Sequence, residues 1–166
     1  MPEIKGLSHI ELTVSDCDPA ARWWQEVMGF VLVHQFQGDG FEGRNVIHPT
    51  GIAVAVMTHE KTAESGAFDE TRVGLDHLAF EVANRQELER WAAHLDEHGV
   101  SNSGVLDAEM GPTLVFRDPD NMQLEFFVHP SAEQLAGKLT DDDSEDARRL
   151  LDEAEQRRIR SQAEES

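Results

Sequence analysis

Residues 6–14 read GLSHIELTV and residues 74–82 read GLDHLAFEV, so the chain writes one apolar strand twice. Gly, Leu, His and Val recur at matching places, each 68 positions after its counterpart. The same offset carries Trp23 of PAARWWQEV onto Trp91 of QELERWAAHL, inside the helical pattern that follows each strand. Both patterns stop near a glycine, Gly29 and Gly99, the residue that commonly lies just past a helix end. Later, HPTGIAVAVMTH (48–59) aligns with DPDNMQLEFFVH (118–129), now offset by 70. Pro49 falls on Pro119, Gly51 on Asn121 and His59 on His129. Glycine and asparagine can trade places there because both tolerate the left-handed backbone of a tight turn.

A repeated order of this kind decides the fold. It predicts an α+β protein in which two βαβββ modules, residues 4–60 and 73–130, curl a mixed sheet into a cup. The polar stretch EKTAESGAFDETR joins them as a linker. Residues 131–166 form an acidic C-terminal appendage. Thr140 before three aspartates suits a helix start there, and Ala147, Leu150, Leu151 and Ala154 give it a narrow apolar stripe for the body or a second subunit; a mostly disordered tail is the alternative.

The 166 residues carry a formal charge of −19. Acids outnumber bases by 22 to 8 over residues 1–130 and by 11 to 6 beyond, so the whole body is acidic. That argues against a nucleic-acid partner, which needs clustered Lys and Arg. No run approaches the roughly 18 apolar residues of a membrane helix, and no signal peptide is visible. Cys17 is the single cysteine, so no internal disulfide forms and a reducing cytoplasm fits. Its setting in SDCDP, between two aspartates, should raise the thiol pKa and makes it a poor nucleophile.

Strand alternation sorts the side chains into faces. Ile10, Leu12 and Val14 share one face, with His9, Glu11 and Thr13 opposite. Leu78, Phe80 and Val82 share one, with His77, Ala79 and Glu81 opposite. In MQLEFFVH, Met122, Leu124, Phe126 and Val128 face away from Gln123, Glu125, Phe127 and His129. The apolar faces pack under helices, and the mixed faces suit the lining of a cup. Under a pseudo-twofold, His9 and His77 are symmetry mates, and Glu125 joins them from the last strand. Two imidazoles and one carboxylate can hold a divalent metal and leave positions open. A single strand histidine is more often solvated than ligating; repetition in one register selects these from the eight present. Glu125 aligns on Ala55, so half one supplies no ligand from its last strand. Phe127 and Met57 offer the cup an apolar wall, Trp23 and Trp91 read as core, and Arg117 as an anchor for the adjacent turn.

HIELTVSD followed by a helix and an MGF turn, GLDHLAFEV, and FRDPDNMQLEFF together resemble the vicinal oxygen chelate superfamily over about residues 4–130. That superfamily includes glyoxalase I, fosfomycin-resistance proteins, methylmalonyl-CoA epimerase, extradiol dioxygenases and bleomycin-resistance proteins. The resemblance implies paired βαβββ modules around a metal, and carries ligand roles onto His9, His77 and Glu125. Ala55 departs from the glyoxalase and epimerase pattern, which places a fourth ligand there. The absence of tyrosine departs from the ring-cleaving dioxygenases. Fosfomycin enzymes need a base for the phosphonate, and the lysines are only Lys5, Lys61 and Lys138. Bleomycin-type binders lack the metal set altogether.

The expectation is a metalloenzyme acting on a small molecule with vicinal oxygens, closest in ligand set to catechol 2,3-dioxygenase-like enzymes. One divalent ion is expected, Fe or Mn favoured, with Zn, Ni and Co also suited. Glu11, His59 and His129 are the candidate acid–base residues, and the protein is expected to be a homodimer. Two alternatives stand beside it. One is a metal-poor binding protein of the bleomycin-resistance type. The other is a lyase, transferase or isomerase of the glyoxalase or fosfomycin-resistance type.

Overall fold

The structure is a computed structural model and describes residues 4–61, 66–131, 134 and 145–164. In half one, the alternating IELT forms β1 (Ile10–Thr13). Asp16 then accepts a hydrogen bond from the Asp18 N–H at 3.0 Å and starts α1 (Cys17–Glu26). Strands β2 (Val31–Gly38), β3 (Phe41–Ile47) and β4 (Ala53–His59) follow. Half two repeats the order with β5 (Leu78–Glu81), α2 (Arg85–Glu97), β6 (Asn102–Ala108), β7 (Gly111–Arg117) and β8 (Gln123–Phe127). Asn84 caps α2 by accepting from the Glu87 N–H at 3.1 Å. A final helix, α3, runs Glu145–Glu164. The predicted helix start at Thr140, and the side chains of Ala147 and Leu150, lie outside the described residues.

Each half makes one four-stranded mixed sheet, in the orders β1-β4-β3-β2 and β5-β8-β7-β6. The first strand of each pairs parallel with the last, and the remaining ladders are antiparallel. The duplication holds at the level of single turns. Gly51 has φ 88° and Asn121 φ 68°, and Asn121 is the one non-glycine with positive φ among the described residues. The first strands are shorter than the repeated sequence suggests. Ile10 pairs with Val54, and β4 begins at Ala53, so residues 6–8 have no ladder partner and Leu7 lies exposed.

The two sheets share one core. Leu12, Val54 and Val56 of sheet one and Leu114, Phe116, Leu124 and Phe126 of sheet two belong to a single buried cluster with Trp24 and Leu88. Trp24 of α1 is fully buried, its ring centroid 5.0 Å from Phe30 and 6.1 Å from Phe80 of β5. Trp23 stacks on Phe116 at 6.5 Å and Trp91 on Phe126 at 4.3 Å, the core packing expected of both. His94 Nε2 lies 2.9 Å from the Val27 carbonyl, which joins α2 to the end of α1. The apolar face of each sheet is therefore turned towards the helices and the other module. The opposite faces, which carry Glu11 and Glu125, are left open.

Candidate metal centre

On the open face of sheet two, parallel pairing sets Ala79 of β5 beside Glu125 of β8. His77 lies two residues before Ala79, on the same face. Its Nε2 is 3.0 Å from Glu125 Oε2, and its Nδ1 is 2.6 Å from Asp76 Oδ1. The second oxygen of Glu125 accepts a hydrogen bond from the Thr113 hydroxyl. The Glu125 side chain is only 15% exposed and that of His77 37%, so the pair sits at the floor of the face with the imidazole open to solvent on one side.

Neutral imidazole carries one N–H and one lone pair. Here both ring nitrogens face carboxylate oxygens, so the neutral ring leaves one contact without a hydrogen. A second proton or a cation between Nε2 and Oε2 removes the deficit. Two ligands each about 2.1 Å from one ion, at a right angle, stand about 3 Å apart. The observed 3.0 Å spacing fits that arrangement. Asp76 supplies the brace that ligating histidines usually have, a carboxylate on the far nitrogen that fixes the tautomer. The residues present thus suit two positions of a metal site.

The third predicted ligand does not join them within one chain. Among the described residues, no group of three His, Cys, Asp or Glu side chains is suited to hold a metal ion. His9 precedes β1 on the other sheet, exposed, with Nδ1 3.0 Å from Ser8 Oγ. Glu11 is exposed on β1 and pairs with Ala55. The corresponding pair in half two is Ala79 with Glu125, so each half keeps one glutamate and one alanine at this position but on opposite strands. His59 ends β4 with its ring 6.3 Å from Phe41, and His129 lies 5.4 Å from Phe127.

Asp76 and Thr113 were missed by sequence reasoning. Alternation through GPTLVFR puts Thr113 and Val115 on the face of Glu125, a signal that could have found the threonine. Asp76 stands where half one has Ser8, and that exchange of hydroxyl for carboxylate was the available clue. Arg117 does anchor its turn: its NH1 and NH2 groups bond Glu70 at 3.0 and 2.8 Å, the Asn121 carbonyl at 3.0 Å and Gln123 Oε1 at 2.9 Å. Those bonds hold the Glu70 carboxyl down at about 2. Cys17 is fully buried, and burial above all pushes its thiol up; Glu42 and Asp18 add to the shift while Arg44 opposes it.

Residues 6–126 match the model of the Glyoxalase/Bleomycin resistance protein/Dioxygenase superfamily. Among curated proteins, the chain is 29% identical over 124 residues to MhqA of Bacillus subtilis (strain 168), whose name assigns it provisionally as a ring-cleaving dioxygenase. The match covers 73% of this chain but only 39% of MhqA. Among solved structures, the chain is similar to a glyoxylase/bleomycin resistance protein/dioxygenase domain from Frankia sp. EAN1pec. Identity there is 31% and the TM-score 0.72, over 77% of this chain and all of that one. It also shares the fold of FosX, a fosfomycin resistance protein from Listeria monocytogenes, solved with Mn(II) and 1S,2S-dihydroxypropylphosphonic acid. That identity is 18% and the TM-score 0.63, over 82% of this chain and 100% of that one.

Proposed function

This chain belongs to the Glyoxalase/Bleomycin resistance protein/Dioxygenase superfamily, and from that premise we propose that it is a divalent-metal enzyme acting on a small molecule with two adjacent oxygens. In donor set it stands nearest the ring-cleaving dioxygenases, with His77 and Glu125 as two ligands and His9 as the third. One observation carries the reading: His77 presents both ring nitrogens to carboxylate oxygens. An ion held there, iron or manganese for preference, supplies Lewis-acid polarisation of the paired substrate oxygens. Asp76 keeps the His77 proton on Nδ1 and its Nε2 lone pair towards the site. Thr113 holds Oε1 of Glu125, which leaves Oε2 for the site. Glu11, about 7 Å along the strand from His9, is the side chain positioned to hold a substrate proton. His59 and His129 stand further out as secondary candidates for the same role.

His9 comes from a second copy of the chain. The open faces turn away from the common core, so one chain does not close a cup by itself. A twofold dimer sets sheet one of one protomer against sheet two of its partner and completes two equivalent sites. A phosphonate substrate of the fosfomycin type suits this site poorly, because every described bond of Arg117 is taken by the protein itself. The incomplete donor set of the single chain also supports a second reading, a metal-poor binding protein of the bleomycin-resistance type.

Metal analysis of protein purified without a histidine tag separates the two. The enzyme reading expects about one Fe or Mn per chain, falling below about a tenth of that in His77→Ala and Glu125→Ala. Wild-type protein that stays metal-free after incubation with Fe(II) and Mn(II), yet binds an uncharged diol, sinks the enzyme reading and supports the binder.

A further inference from the structure

The open face of sheet one carries a strip of aromatic side chains of which only His59, at one end, has been given an acid–base role. Cross-strand pairing sets Phe36 opposite Gly43 and Gly38 opposite Phe41. Neither glycine has positive φ, so backbone conformation does not require them. Space does. A Cβ on Gly43 would stand 2.4 Å from the Phe36 ring, and one on Gly38 would overlap the Phe41 ring. Each phenylalanine lies flat across a glycine on the neighbouring strand. The two ring centroids are 6.4 Å apart, His34 stacks on Phe36 at 6.0 Å, and His59 stands beside Phe41. At the Phe41 end, a cleft of about 450 Å³ takes Gly38, Phe41 and His59 from the open face and, around the strand ends, Gln37, Glu42 and Thr58 from the face that carries Arg44, with Glu60 beside them. That volume lies in the range of small-molecule sites. No Lys or Arg lines it.

We propose that this strip is a substrate subsite, the floor for a flat aromatic group that carries no negative charge. The assignment rests on the enzyme reading only for the word substrate. Glycine clearance gives a floor flat enough for a ring to stack on, and the Glu60 carboxylate at its end, with no Lys or Arg in the lining, disfavours anions. Strand spacing puts Phe36 roughly 10–15 Å across the sheet from Glu11. The ring held there is therefore a part of the substrate remote from the paired oxygens.

Full-length protein prepared without added metal is titrated with 1-naphthol and with 1-naphthalenesulfonate, the same ring with and without an anionic group. Naphthol should bind at least about tenfold more tightly than the sulfonate. Phe36→Leu and Phe41→Leu keep an apolar side chain, and each should weaken naphthol about three- to tenfold; Gly43→Ala should do the same by pushing the Phe36 ring aside. Melting curves check that the variants are folded. Equal affinity for the two probes, or naphthol affinity unchanged in both leucine variants, overturns the proposal. Protein that takes up no metal but binds naphthol through Phe36 and Phe41 sinks the metal reading and leaves this one standing.

Discussion

Asp118 holds the DPDN turn from inside. It is 7% exposed, and its Oδ1 accepts from the Asp120 and Met122 N–H groups at 2.9 and 2.8 Å. Burial outweighs those bonds and, helped by the Asp120 charge, pushes the carboxyl up to about 6. A raised acid binds its proton more tightly in the folded than in the unfolded chain, so stability falls as pH climbs from about 4 through 6. Glu70 acts in the opposite sense: its carboxyl, held at about 2, contributes above its ordinary pKa and is lost as pH drops below about 4.5. Asp118→Asn keeps an Oδ1 acceptor and removes the titration. Its stability should therefore gain on wild type between pH 4 and 6, by on the order of 2 kcal/mol at most, seen as a rise of its melting temperature relative to wild type. Parallel melting curves for the two proteins across that range would refute this. Beside it, Asn121 takes the left-handed backbone and donates its Nδ2 to the Phe68 carbonyl at 3.0 Å. Asn121→Ala should cost about 1–2 kcal/mol and Asn121→Gly distinctly less, read by urea unfolding. That position was legible in the sequence, since its alignment on Gly51 states the backbone requirement directly. His77 was legible for the same reason, through repeated register, and Glu125 through alternation along its strand. Asp76 was not, because a charge on a loop residue carries no periodicity.

The two module helices were the most legible elements, because each has a side-chain cap at its start and a glycine just beyond its end. Asp16 and Asn84 cap α1 and α2, and Gly29 and Gly99 follow them with φ 72° and 68°. Asn84→Ala removes the acceptor for the Glu87 N–H and should destabilise the protein by about 1 kcal/mol, while Asn84→Ser should recover most of it. Equal melting temperatures for the alanine and serine variants would remove the cap from the account. The middle strands could be counted but not registered. Register shifts interrupt the β2–β3 ladder between Leu32 and His34 and the β6–β7 ladder between Asn102 and Val105. A bulge adds a residue and reverses the alternation on which face assignment depends. The aromatic strip was invisible for that reason: only the observed register sets Phe36 on Gly43 and Phe41 on Gly38.

At the scale of the molecule, local pattern says which face of a strand is apolar but not which module that face meets. The structure answers with Trp24 against Phe80 and Trp23 against Phe116, contacts that join half one to half two through their apolar faces. Open faces that point away from a shared core leave His9 and His77 of one chain on separate sheets, and the proposed dimer closes the site across two chains. The consequence is testable by complementation. His9→Ala keeps His77 and Glu125 but has no His9 to give a partner, and His77→Ala has the reverse defect. Each alone should bind almost no metal. Unfolded together in equal amounts and refolded, they form mixed dimers in which one site draws His9 from one chain and His77 with Glu125 from the other. Half of the dimers are then mixed and half of their sites intact, so the mixture should recover about a quarter of the wild-type metal. If the three ligands instead belonged to one chain, every chain would remain defective and mixing would recover nothing.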